Sequence, residues 1–286
     1  MPDERAISFP CRGAWLYGIL SLPRASSTPP ARGVLIVVGG PQYRAGSHRQ
    51  FTLLARDLAN SGIPAMRFDY RGMGDSEGEL QTFENVDDDL RAAIDRFFAE
   101  VPGMSEVVLW GLCDGASAAA MYAPQDARVA GLVLLNPWVR TDEGAARATI
   151  KHYYKDRLFD VRLWKKIGSG QFDVKDSVRS LWDNVGKAFG PRPGADASAP
   201  ARSAPLPERM QGALTRFGGR VLVVLSGADL TAQEFAELSK RSAPWQRLLG
   251  APRFTRQQID KADHTFSRRP WQDQVSNWTR DWLRSW

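Results

Sequence analysis

The sequence predicts an α/β protein: a mostly parallel, twisted sheet with helices on both faces and a helical insertion late in the chain. Three observations carry that expectation. Apolar, β-branched runs such as Gly33-Val34-Leu35-Ile36-Val37-Val38 recur without polar interruption, as strands buried on both faces require. Stretches with apolar residues at helical spacing separate them, for example Phe51, Leu54 and Leu58. One strand, 106–110, runs straight into the pentapeptide Gly111-Leu112-Cys113-Asp114-Gly115, which has the form of a strand–turn–helix elbow.

The elements follow in order. Residues 6–9 and 15–22 read as a hairpin, and a Ser/Pro-rich loop at 25–32 leads to strand 33–38. Helix 49–61 ends at Gly62. Strand 64–69 precedes a glycine-rich loop, the acidic-starting helix 84–100, strand 106–110 and the elbow. After the elbow, Ala116-Ser117-Ala118-Ala119-Ala120 supplies small residues for a helix packed closely on the sheet, and 131–136 is the next buried strand. From 140 to 219 the buried-strand signal stops. Helical spacing at 143–158, 161–167 and 174–189 predicts a lid, and the Pro/Ala/Gly/Ser-rich stretch 190–207 is expected to be mobile. The alternation resumes with strand 220–225, helix 231–242, strand 253–259 and helix 271–286. The predicted organisation is a core from 1–139 and 220–286, interrupted by a lid at 140–219.

At 286 residues with 43% hydrophobic content, the chain is long enough for one large core with an insertion. No run of about 18 apolar residues predicts a membrane span. The polar start MPDERAISFP does not read as a secretory signal. The two cysteines, Cys11 and Cys113, are too few for a disulfide framework, so the expected setting is reducing and cytoplasmic. The net charge of +6 is spread along the chain without a nucleic-acid-binding motif, so a solvated basic surface is expected and nucleic acid is not an expected partner. Steering of an anionic substrate and peripheral association with an anionic surface remain open. No cofactor or metal is expected.

The chemistry is concentrated at Cys113. A residue between strand and helix is forced into a strained backbone, and the flanking glycines let the turn close. Its side chain is left at the amino terminus of a helix, where the dipole and free N–H groups favour a thiolate. A base must accompany it, and only His48, His152 and His264 exist. His264 follows the last strand, on the elbow's side of the sheet. His48 sits in an early loop and His152 in the lid, where structural or substrate-facing roles suit them better. The orienting carboxylate is expected from Asp229, directly after strand 220–225. Asp263 adjoins His264, and adjacent side chains seldom face each other. An oxyanion hole needs two donors: the N–H of Asp114, and one from the loop Val38-Gly39-Gly40-Pro41-Gln42. Pro41 has no N–H, so Gly40 is the candidate and Gln42 the alternative.

These residues resemble the α/β-hydrolase superfamily in the GLCDG elbow, the Asp69-Tyr70-Arg71-Gly72-Met73-Gly74-Asp75-Ser76 loop and the late Asp229/His264 pair. The order nucleophile, acid, base is that of the superfamily. Within it, the chain is similar to the exosortase A system-associated hydrolases of type 1. That likeness rests on Gly39-Gly40-Pro41-Gln42-Tyr43-Arg44, Gly46-Ser47-His48-Arg49-Gln50, Gly111 to Ser117 and Asp263-His264-Thr265-Phe266. The resemblance implies an α/β-hydrolase fold, a mainly structural role for the Asp69–Ser76 loop and a link to exopolysaccharide and protein-sorting loci. The expected activity is an esterase, thioesterase or acyltransferase working on a small-molecule acyl ester or thioester through a thioester on Cys113. Thiolate is too good a leaving group for unactivated amides. The rival expectation is a non-catalytic relative acting as a binding or assembly factor at a membrane surface.

Overall fold

The computed structural model describes residues 2–24, 30–40, 43–139 and 204–286. Eight strands form one sheet in the order β1-β2-β4-β3-β5-β6-β7-β8. The outer pair is an antiparallel hairpin, β1 (Asp3–Cys11) with β2 (Ala14–Leu22), and β2 also lies antiparallel to β4 (Ala65–Asp69). From β4 onward the neighbours run parallel: β3 (Arg32–Val37), β5 (Glu106–Leu112), β6 (Val129–Leu135), β7 (Arg220–Ser226) and β8 (Phe254–Ile259).

The uninterrupted apolar strands have the physical cause expected of them. In β3, Val34 and Ile36 enter one core layer while Leu35 and Val37 enter the other. One layer is covered by α1 (Gln50–Asn60) and α7 (Arg269–Arg284), through Phe51, Leu54, Leu58, Val275 and Trp282. The other is covered by α2 (Asp87–Glu100), α3 (Asp114–Tyr122), α4 (Leu206–Arg216), α5 (Leu230–Arg241) and α6 (Ala243–Leu249). Leu90, Ile94 and Phe97 of α2 and Phe235 of α5 fill it, each side chain stabilising the fold by about 1.5–3 kcal/mol. Edge strand β8, with its exposed Thr255, Arg256 and Gln258, shows the mixed pattern of a half-covered position.

All eight predicted strands are present. One boundary differs, and one helix is additional. Helix α4 lies inside the span assigned to the lid, and its first residues, Leu206 and Pro207, lie inside the stretch expected to be mobile. It is instead part of the core: Pro207, Met210, Ala213 and Leu214 are buried at helical spacing, and the helix packs on α3. The compact unit that contains the sheet accordingly resumes at Leu206, not at 220. The short helix α6, buried through Trp245, Leu248 and Leu249, also had no counterpart in the sequence reading. The expected lid helices, with His152, fall outside the described residues, as does Gln42. Among the described residues no helix is long and apolar enough to cross a membrane.

Candidate active site

The site lies at the carboxyl ends of β3, β5, β6 and β7. β5 delivers Cys113 with φ 61° and ψ −125°, a positive-φ conformation that a residue with a side chain adopts only under strain. The surrounding structure holds it there. The Cys113 N–H donates to the Leu135 carbonyl at 2.9 Å, and the Cys113 carbonyl accepts from Ala116 N at 3.1 Å and Trp138 N at 3.2 Å. The flanking glycines are required by close approach. A Cβ on Gly111 would stand 2.5 Å from the Gly115 carbonyl oxygen, and one on Gly115 would stand 2.6 Å from the Val37 carbonyl oxygen. Cys113 is half-buried, whereas Cys11 is buried between β1 and the core.

Asp229 and His264 reach the elbow from the next loops. Asp229 is the N-cap of α5 and divides its oxygens between two tasks. Oδ2 accepts from the Ala232 N–H at 2.9 Å, which fixes the carboxylate, and Oδ1 lies 3.0 Å from His264 Nδ1. The Cys113 side chain lies close enough to the imidazole to raise it. His264 is pushed up to about 10, first by the hydrogen bond to Asp229 and then by Cys113, against the opposing effect of burial.

Asp263 turns away from this chain. Its carboxylate accepts from the Ser267 N–H at 2.9 Å and from the Ser267 hydroxyl, closing its own loop. His48 is exposed, with φ 53°, in a short turn before α1.

Asn136 was not singled out from the sequence. Fully buried and at φ 43°, it ties three segments together. Its Nδ2 donates to Ser226 Oγ at 2.7 Å and to the His264 carbonyl at 2.9 Å, while Oδ1 accepts from the Ser226 N–H at 2.9 Å. Asn136 thus holds the His264 loop against the ends of β6 and β7.

The two candidate donor groups converge. The Asp114 carboxylate accepts the Gly115 N–H at 3.0 Å and packs against Gly39, where a Cβ would stand 2.4 Å from its Oδ1. Burial raises the Asp114 carboxyl, and that bond and the His264 charge pull against that rise. The loop carrying Gly40 is anchored further on by Arg44. Its N–H donates to Asp69 Oδ1 at 2.7 Å, and its guanidinium meets both Asp69 and Asp75, at 2.7 Å for the latter. The Asp69–Ser76 loop is knit by Ser76 Oγ donating to the Asp69 carbonyl at 2.6 Å and by Arg71 clasping Asp89 of α2.

A cleft of about 510 Å³ between α1 and α7, floored by Trp110 and Phe266, lies on the opposite side of the sheet from α3 and is not lined by Cys113, Asp229 or His264. Among the described residues, no group of three or more His, Cys, Asp or Glu side chains is placed to hold a metal.

Sheet order, elbow and strand-end loops define the α/β-hydrolase fold. The hydrolase family described as serine aminopeptidase, S33 matches residues 29–167. No curated protein matches the chain in sequence. Solved structures with a similar fold include an esterase of Pyrococcus furiosus, Pf2001, at 14% identity and TM-score 0.66, covering 100% of this chain and 93% of that one. A dienelactone hydrolase from Anabaena variabilis aligns at 15% identity and TM-score 0.62, covering 100% and 98%. Est1E from Butyrivibrio proteoclasticus, solved with ferulic acid, aligns at 12% identity and TM-score 0.63, covering 98% of both chains.

Proposed function

We propose that the protein is an acyl hydrolase or acyltransferase in which Cys113, His264 and Asp229 form a nucleophile–base–acid triad acting on activated esters or thioesters. The observation that carries this reading is the convergence of Asp229, whose Oδ1 lies 3.0 Å from His264 Nδ1, and Cys113, whose side chain acts on the same imidazole, at an elbow strained in the way the motif demands. Asp229 fixes the tautomer and stabilises the imidazolium. As the sulfur attacks an acyl carbonyl, the Cys113 thiol proton passes to His264, and the oxygen takes charge between the N–H groups of Gly40 and Asp114. The carbon–leaving-group bond breaks, and the leaving group departs with the His264 proton.

Acylation turns the Cys113 thiol into a thioester and so removes the contribution of that side chain to the raised imidazole. His264 then becomes a usable base for activating water, or another acceptor, against the thioester. Asp229 alone continues to hold it in position.

The S33 family is described by a serine enzyme, whereas the residue at this elbow is cysteine, and that substitution directs the reading toward activated acyl groups. The likeness to exosortase A system-associated hydrolases of type 1 supports a substrate tied to exopolysaccharide or protein-sorting metabolism. The net charge of +6 suits an anionic substrate or a working position at an anionic surface.

The test is turnover of a panel of 4-nitrophenyl esters and acyl thioesters by the wild-type protein and Cys113→Ala. Hydrolysis that depends on Cys113 supports the reading. Turnover retained by Cys113→Ala contradicts it.

A further inference from the structure

The cleft between α1 and α7 takes no part in the acyl chemistry, and its walls are not those of a packed helix pair. Gln50, Asp57 and Asn60, at helical spacing on α1, line one wall, and Gln272, Asp273 and Ser276 of α7 line the other, over a floor of Trp110, Leu135 and Phe266. Gln50 is only 7% exposed, yet among the described residues its side-chain Nε2 has no hydrogen-bond partner. A buried amide N–H without an acceptor costs the fold the desolvation of that group, so an orphan of this kind points to a partner from outside the chain. The charges around the cleft are already matched: Arg56 with Glu4 at 2.6 Å, Asp57 with Arg280 at 3.3 Å and Arg269 with Asp273 at 2.7 Å. Its volume, about 510 Å³, falls within the range of about 300–1,000 Å³ usual for small-molecule sites.

We infer that this cleft binds a small uncharged ligand, with an apolar body against Trp110, Leu135 and Phe266 and an oxygen acceptor for Gln50 Nε2. A carbonyl, ether or hydroxyl oxygen satisfies that donor. A charged ligand would lose its hydration without gaining a free counter-charge, because each ionic group of the walls is already committed to a partner. The amides of Asn60 and Gln272 and the hydroxyl of Ser276 both donate and accept, so they suit hydroxyl groups on the ligand and favour neither sign of charge. The cleft shares no residue with the triad, so it binds its ligand whether or not Cys113 carries acyl groups.

The probe is hexyl β-glucoside, uncharged, with an apolar chain and several oxygens, titrated into the full-length protein by calorimetry. Wild type is expected to bind it with a Kd of about 0.1–1 mM, and to bind hexyl phosphate and hexylammonium at least about tenfold more weakly. Gln50→Met removes the donor at equal chain length and is expected to weaken glucoside binding about tenfold or more. Leu53→Trp, which crowds the cleft from a half-buried position on α1, is expected to do the same. Thermal unfolding without ligand separates a binding role from a structural one. Replacing an unpartnered buried amide by an apolar side chain is expected to raise the midpoint by about 2 °C or more, whereas a Gln50 that held the fold together would lower it on replacement. Four results would each overturn the proposal: glucoside binding that survives both substitutions, charged probes bound as tightly as the glucoside, a lowered midpoint in Gln50→Met, or no binding by wild type up to about 10 mM.

Discussion

Two loops at neighbouring strand ends are built alike and finished differently. Asp69 ends β4 and its carboxylate accepts the N–H groups of Arg44 and Asp75, and Asp114 follows the end of β5 and its carboxylate accepts that of Gly115, each in a glycine-lined turn. Asp69 is fully buried and shares its charge with Arg44, a permanent cation fixed between Asp69 and Asp75. Asp114 is half-buried, and the charge nearest to its function is that of His264, which titrates. The first arrangement is complete and serves stability. The second stands beside a cysteine kept in a strained backbone. Similar local geometry therefore makes a structural loop in one place and a working one in the other, and the difference lies in whether the compensating charge is permanent.

The largest effect should fall on the working loop. Asp229→Asn keeps the N-cap of α5 but offers the wrong group to His264 Nδ1, so kcat for an ester substrate is expected to fall about 10³–10⁴-fold with little change in thermal midpoint. Steady-state kinetics and calorimetry on the same preparation check both halves. The converse holds for Asp69→Ala, which strands the guanidinium of Arg44. Urea denaturation should register a loss of about 3–5 kcal/mol, against less than about 1 kcal/mol for Asp114→Ala. Equal losses for the two variants would remove the distinction between the loops. Asn136→Ala should leave the triad residues in place but loosen the His264 loop, lowering kcat about 10²-fold through misplacement, with no compensating change in KM.

The smallest effect concerns pH. His264 is raised from an ordinary 6.5 to about 10, so its contribution to stability is fully present below pH 6.5 and is lost as pH rises through 10. The denaturation midpoint should decline across that window in wild type and be flatter in His264→Gln. A wild-type curve that rises from pH 7 to 10 more steeply than that of the variant would count against the imidazolium.

Much of this was legible in the chain. The buried strands are readable because β3, β5, β6 and β7 are covered on both faces and apolar through their middles, whereas β4 carries the buried Arg67 and Asp69. The elbow is readable because its glycines answer to close backbone approach. Asn136 was not legible, since its partners Ser226 and His264 lie 90 and 128 residues away and no local spacing marks it. Helix α4 was obscured by the Pro- and Ala-rich stretch before it, although Pro207 stands in the first turn, where a missing N–H costs nothing. The direction of the Asp114 side chain is a matter of rotamer, which composition and spacing do not encode.

The central claim is that acyl groups pass through sulfur. Wild-type protein mixed with 4-nitrophenyl butyrate and quenched in acid within seconds, alongside His264→Ala incubated for minutes, can be digested and weighed peptide by peptide. The account predicts a butyryl mass on the peptide containing Cys113 and none on that containing Cys11. Ester turnover with Cys113 unmodified would contradict it.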